Sequence, residues 1–78
     1  MILSFKKVEV DLVNRVREFR KKKGLTQLDL ADITEIYQND ISQIETGGRK
    51  VFPGWRKRLS EALEVEEEIL FPDEDELK

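Results

Sequence analysis

GLTQLDLADITEIYQNDISQIETG, residues 24–47, reads as two short helices joined by a tight turn. The Thr26 hydroxyl is placed to accept an orphan amide hydrogen of a new helix, and Asp29, three residues on, supplies the acidic half of a capping box. A helix therefore starts near Gln27. Leu30, Ala31 and the pair Ile33/Thr34 recur at the spacing of one helix face, so that face turns inward. The pattern then resets. Ile36, Ile41 and Ile44 make a second inward stripe, while Gln38, Asn39, Asp40, Ser42 and Gln43 collect on the other side. The second helix, about 37–46, buries isoleucine and displays amides. Gly47 and Gly48 end it, because at least one of them can take the left-handed conformation that satisfies the last carbonyls.

Seventy-eight residues with 38% hydrophobic content make one small domain over 1–78, with a core at about 10–72 and an acidic tail at 73–78. Such a chain buries only about 60% of its unfolded surface. At roughly 0.05–0.15 kcal/mol per residue its stability would be about 4–12 kcal/mol, leaving little margin for strain. Cysteine and histidine are absent, which removes disulfides and thiolate or imidazole metal sites. No run approaches the roughly 18 apolar residues of a membrane span, and MILSFKKVEV lacks the basic start and long apolar middle of a signal peptide. The expectation is a cytoplasmic protein with no membrane, metal or cofactor partner.

The net charge of −3 is unevenly spread. Residues 1–14 sum to zero. Residues 15–58 hold eleven Lys or Arg against six Asp or Glu, a surplus of +5, and residues 59–78 hold one Lys against nine acids, a deficit of −8. A basic body with a separate acidic end is the asymmetry of a nucleic-acid binder.

Upstream, residues 2–5 are apolar apart from Ser4 and fit an extended arm, a frayed end or a first helical turn. From Asp11, an N-cap candidate, Leu12, Val16 and Phe19 fall on one face with Val13 beside them. Arg15, Arg17, Arg20 and Lys21 to Lys23 make the helix end basic. Cations there complement the helix dipole, and the same side chains are suited to phosphates. Downstream, Pro53 opens another helix where its missing amide costs nothing. Trp55, Leu59, Ala62 and Leu63 form its inner face, with Arg56, Lys57 and Arg58 outside. Val65 leads through Glu66, Glu67 and Glu68 into a last short helix with Ile69, Leu70 and Phe71. Asp73 to Glu76 lacks the glycine and ligand spacing of a calcium loop.

Gly24-Leu25-Thr26-Gln27, Leu30-Ala31, and Ile41-Ser42-Gln43-Ile44-Glu45 with Gly47 resemble the helix-turn-helix of the Cro/CI family of phage and bacterial repressors. The resemblance extends over 12–72. It implies an all-α fold, a compact five-helix lambda-repressor-like DNA-binding domain. It further implies that Arg20 pairs with Glu45 and also reaches a phosphate, that Gln27 holds a phosphate at the start of its helix, and that Arg49 and Lys50 touch the backbone from the loop after the recognition helix. Lys23 joins that phosphate set. The closing segment, Ile69, Leu70 and Phe71, would supply a dimer contact.

The chain departs from the family at the turn. Thr34-Glu35 replaces the usual Leu-Gly, and Tyr37 replaces a Ser or Thr cap. A left-handed Glu costs about 1 kcal/mol relative to Gly, so a reshaped turn is expected, with the first helix lengthened and Ile33 moved inward. Leu28, where the family tends to be polar, is either an apolar contact or a single surface leucine.

Gln and Asn amides suit the N6/N7 edge of adenine, which makes Gln38, Asn39 and Gln43 candidate base readers; Asp40 either points along the rim or accepts from a cytosine amine. An enzyme is not expected, since no phosphate loop, His, Cys or enclosed carboxylate pair is present. The expected function is a transcriptional regulator, a repressor, that binds double-stranded DNA as a homodimer on a palindrome with half-sites about 34 Å apart. The alternative is a helix-turn-helix module that docks a protein partner through Leu28, Tyr37 and the acidic end.

Overall fold

Two apolar stripes separated by one left-handed residue decide how the helices stack. The structure, a computed structural model, describes residues 13–72. Among them the order is α1 (Val16–Lys22), α2 (Gln27–Thr34), α3 (Gln38–Thr46), α4 (Pro53–Leu63) and α5 (Glu67–Leu70), with no strand. The fold is all-α.

The expected cap Asp11, Leu12, the arm at 2–5 and the tail at 73–78 lie outside the described residues. Within them, helix α1 begins later than expected: Val13, Asn14 and Arg15 are not helical. Asn14 is the reason. Its Oδ1 accepts from the Val16 amide at 3.1 Å, while its Nδ2 donates to the Ile44 carbonyl at 2.8 Å, so the side chain both starts α1 and ties it to the end of α3. The Arg15 amide donates to the Leu70 carbonyl at 2.8 Å, which brings the last helix to the first.

Helix α2 starts as the capping box requires. Thr26 Oγ1 accepts from the Asp29 amide at 3.0 Å, and Asp29 Oδ2 accepts from the Thr26 amide at 2.9 Å. At its other end the expected lengthening does not occur. Glu35 takes the left-handed conformation, φ 60° and ψ 33°, and its amide donates to the Ala31 carbonyl. Nor does Ile33 move inward, since it is 55% exposed. Thr34 occupies the inner position instead. Its hydroxyl donates to the Leu30 carbonyl at 2.8 Å and accepts from the Ile36 amide at 3.3 Å, so a polar residue is buried without an unmet bond. Arg58 closes the turn from α4 by donating to the Thr34 carbonyl.

Helix α3 opens at Tyr37 with no side-chain cap and closes at Gly47, φ 83°. Glycine is required at that end twice over: the backbone is left-handed, and an added Cβ would lie 2.8 Å from Val13 Cγ1.

The core gathers Val16, Leu30, Ala31, Ile36, Ile41, Ile44, Val51, Leu59, Leu63, Leu70 and Phe71. Trp55 packs against it half-buried. One expectation about the last helices needs correction. Arg56 is not on the outer side: its stem lies across the core edge, the guanidinium carbon sits 5.1 Å from the Phe71 ring centre, and Nε is 3.4 Å from Glu67. Of the closing segment, Leu70 and Phe71 are 0% and 1% exposed, because a core this small needs both. Ile69, 42% exposed, stays available.

Candidate nucleic-acid interface

Burying Ile41 and Ile44 fixes which way α3 faces, and the opposite side carries Gln38, Asn39 and Gln43, all exposed. Three amide side chains thus stand on one outward surface of a nine-residue helix. Such a helix, with its first turn uncovered, fits the width of a major groove and presents donors and acceptors suited to adenine.

The helix is held in place by charge as well as by isoleucine. Arg20 Nε donates to Glu45 Oε2 at 2.7 Å and its Nη2 to Oε1 at 3.2 Å; Nη1 donates to the Leu25 carbonyl at 2.8 Å. The two side chains are only 9% and 2% exposed. A charge-assisted, two-pronged pair therefore joins α1 to α3. Gln27 Nε2 completes the cluster by donating to Glu45 Oε1 at 3.1 Å, so the first residue of α2 is tied in as well. Arg20 thus directs three of its five N–H donors inward, to Glu45 and the Leu25 carbonyl. Gln27 is half-buried, and one of its two amide hydrogens remains for another acceptor.

The other expected phosphate ligands differ in what surrounds them. Lys50 is exposed. Lys23 Nζ donates to Glu64 Oε1 at 3.0 Å, directing it to the end of α4. Arg49 Nε lies 3.3 Å from Asp40 Oδ1, so the carboxylate, expected either along the rim or on a cytosine amine, faces a guanidinium. Tyr37 and Leu28, 83% and 57% exposed, share a shallow groove with Ala31, Asp32, Glu35, Ile36 and Gln38.

Hydrogen bonding tunes two acids nearby. The Thr26 amide, then its hydroxyl, hold the Asp29 carboxyl below the usual carboxylate range. Glu18 is drawn from 4.5 down to about 2, chiefly by its hydrogen bonds from Arg15, whose own guanidinium is raised in turn. Among the described residues no group of His, Cys, Asp or Glu is arranged to hold a metal ion, and no helix is long and apolar enough to cross a membrane.

The sequence pattern gave no role to Asn14, which turns out to anchor the end of α3. The available signal was its type: an Asn two residues before Val16 is a helix-start residue in its own right.

Comparison with known proteins agrees with this geometry. A family described as a helix-turn-helix domain matches residues 13–76. The crystal structure of the restriction-modification controller protein C.AhdI from Aeromonas hydrophila is similar to this chain, with 34% identity and a TM-score of 0.72 over 80% of this chain and 94% of that one. No curated protein matches.

Proposed function

The chain belongs to the helix-turn-helix domain family, as a Cro/CI-type DNA-binding regulator of transcription and not an enzyme, and from that premise we propose that it is a cytoplasmic repressor that binds a palindromic site as a homodimer. Helix α3 enters the major groove. Gln38, Asn39 and Gln43 read base edges there, while Lys50 and the second amide hydrogen of Gln27 meet phosphates on either side. The observation that carries this reading is the outward amide surface of α3, anchored through Glu45 to both α1 and α2. Likeness to a controller protein supports a regulatory role. The dimer contact is assigned to exposed Ile69 on α5, beside the groove it lines with Phe19 and Val65. That surface is small, so the dimer would form with moderate affinity and be strengthened by DNA.

A second reading is favoured by the groove between Leu28 and Tyr37, an apolar feature rimmed by Asp32 and Glu35. It would make the domain a docking module for another protein.

Binding to random-sequence duplex DNA over a range of salt, followed by selection of preferred sites, separates the two. Affinity falling steeply with salt and an enriched palindrome support the repressor. Gln38→Ala should then relax one base position, at a cost of about 1–3 kcal/mol on the preferred site and little elsewhere. A folded protein that fails to bind at low salt would rule out the DNA reading.

A further inference from the structure

Asp40 stands in the first turn of α3, among the proposed readers, where an unpaired carboxylate would repel the duplex. It is not unpaired. Its side chain is 21% exposed, and Oδ1 lies 3.3 Å from Arg49 Nε. Arg49 follows the Gly47 stop, where the left-handed backbone lets the Gly48 amide donate back to the Gln43 carbonyl at 2.8 Å. The guanidinium carbon sits 5.2 Å from the Trp55 ring centre and 5.9 Å from that of Phe52, and these two rings meet edge to face at 5.2 Å. One cation is therefore held on two sides, by a carboxylate of α3 and by an aromatic pair at the start of α4.

Each contact is modest, about 0.5–1 kcal/mol for an exposed cation–π contact and about 0–1 kcal/mol for an exposed ion pair. Acting on the same guanidinium, they favour one placement of Arg49 over a freely moving chain. In that placement Asp40 and Arg49 together present no net charge to a phosphate, and the carboxylate faces a cation instead of a cytosine amine.

We infer that Asp40 acts on DNA through Arg49 and not through a base edge. The carboxylate withdraws one guanidinium from the phosphate-binding set, which lowers sequence-blind affinity and raises the ratio of specific to non-specific binding. Asp40 is thus a specificity-determining residue that contacts no base. This rests on the DNA-binding reading above.

The test is a salt titration of the wild type, Asp40→Asn, Arg49→Met and the double variant against random-sequence duplex and against the selected site. Asn keeps the shape of Asp, and Met keeps a stem against the rings; circular dichroism checks that each variant is folded. Asp40→Asn should bind random duplex more tightly, with a salt slope steeper by about 0.9 per protomer and an unchanged preferred site. Arg49→Met leaves Asp40 unpaired and should bind random duplex less tightly than the wild type, while the double variant, neutral at both positions like the wild-type pair, should return to the wild-type slope. A double variant that binds random duplex as tightly as Asp40→Asn would mean plain repulsion by Asp40. Relaxed preference at one base pair in Asp40→Asn would make it a reader, and a double variant with a slope shallower than the wild type would put Arg49 on a phosphate in the wild type. Any of these overturns the inference while leaving the DNA reading intact. Failure of the folded wild type to bind at low salt overturns both.

Discussion

Glu35 sits at the one position in the helix-turn-helix where backbone geometry and residue type disagree. At φ 60° and ψ 33° its Cβ crowds the following carbonyl, a cost of about 1–2 kcal/mol that glycine avoids. Glu64 ends α4 in the same conformation, φ 60°, but its carboxylate is compensated by Lys23. Glu35→Gly should therefore raise stability by about 0.5–1 kcal/mol, after allowing for the freer unfolded chain. In a thermal melt that is an increase in Tm of about 2–8 °C, and a fall in Tm would show that the Glu35 side chain compensates its own strain. The outcome bears on the turn as a whole. Tolerance of Glu in the left-handed position explains why α2 keeps its length, with Thr34 and Ile36 filling the space that a reshaped turn would have given to Ile33.

At the scale of the helices, α1, α2 and α3 meet at Glu45, and their relative placement depends on that carboxylate. Glu45→Ala would leave the Arg20 guanidinium buried with only the Leu25 carbonyl to accept from it, a loss of about 3–5 kcal/mol. For a domain with about 4–12 kcal/mol in hand, much of the population would unfold. Replacing both partners, Arg20→Met with Glu45→Leu, should return most of that stability in urea melts, because the cost lies in the orphaned charge and not in the lost bonds. Acid should weaken α2 separately. The Asp29 pKa is depressed in the folded state, so its stabilisation is complete above the unfolded carboxylate value and is lost as pH falls through the lowered folded value. Glu18 follows the same sign between 4.5 and about 2. Urea midpoints should hold from neutral pH to about 5 and then fall, with a flatter fall in Asp29→Asn. These elements also show what the sequence discloses. The capping box, the isoleucine stripe and the glycine stop depend on near neighbours in the chain, so α2 and α3 were legible residue by residue. The bond by which Asn14 starts α1 is local, to Val16, but that the same side chain reaches Ile44, 30 residues away, and that Arg56 is covered by Phe71 are contacts no local pattern carries.

Across the whole molecule, the small core decides what remains for assembly. The closing segment Ile69, Leu70 and Phe71 is expected to leave part of itself exposed, and since Leu70 and Phe71 are needed inside, Ile69 is the one of the three left at the surface. A single exposed isoleucine beside a shallow groove would give a dimer whose stability depends on concentration and on DNA, in which each protomer contributes one reading helix. Ile69→Asp places a charge at the proposed contact without touching the core, so the protomer should fold normally. Sedimentation should then show a monomer at concentrations where the wild type is dimeric. On a palindromic site the loss of the second, intramolecular engagement should weaken binding by about a hundred- to ten-thousand-fold, while affinity for a half-site stays close to that of the wild type. An Ile69→Asp protein that remains dimeric would move the interface elsewhere. One that is monomeric yet binds the full site as tightly as the wild type would mean that each domain reads DNA alone.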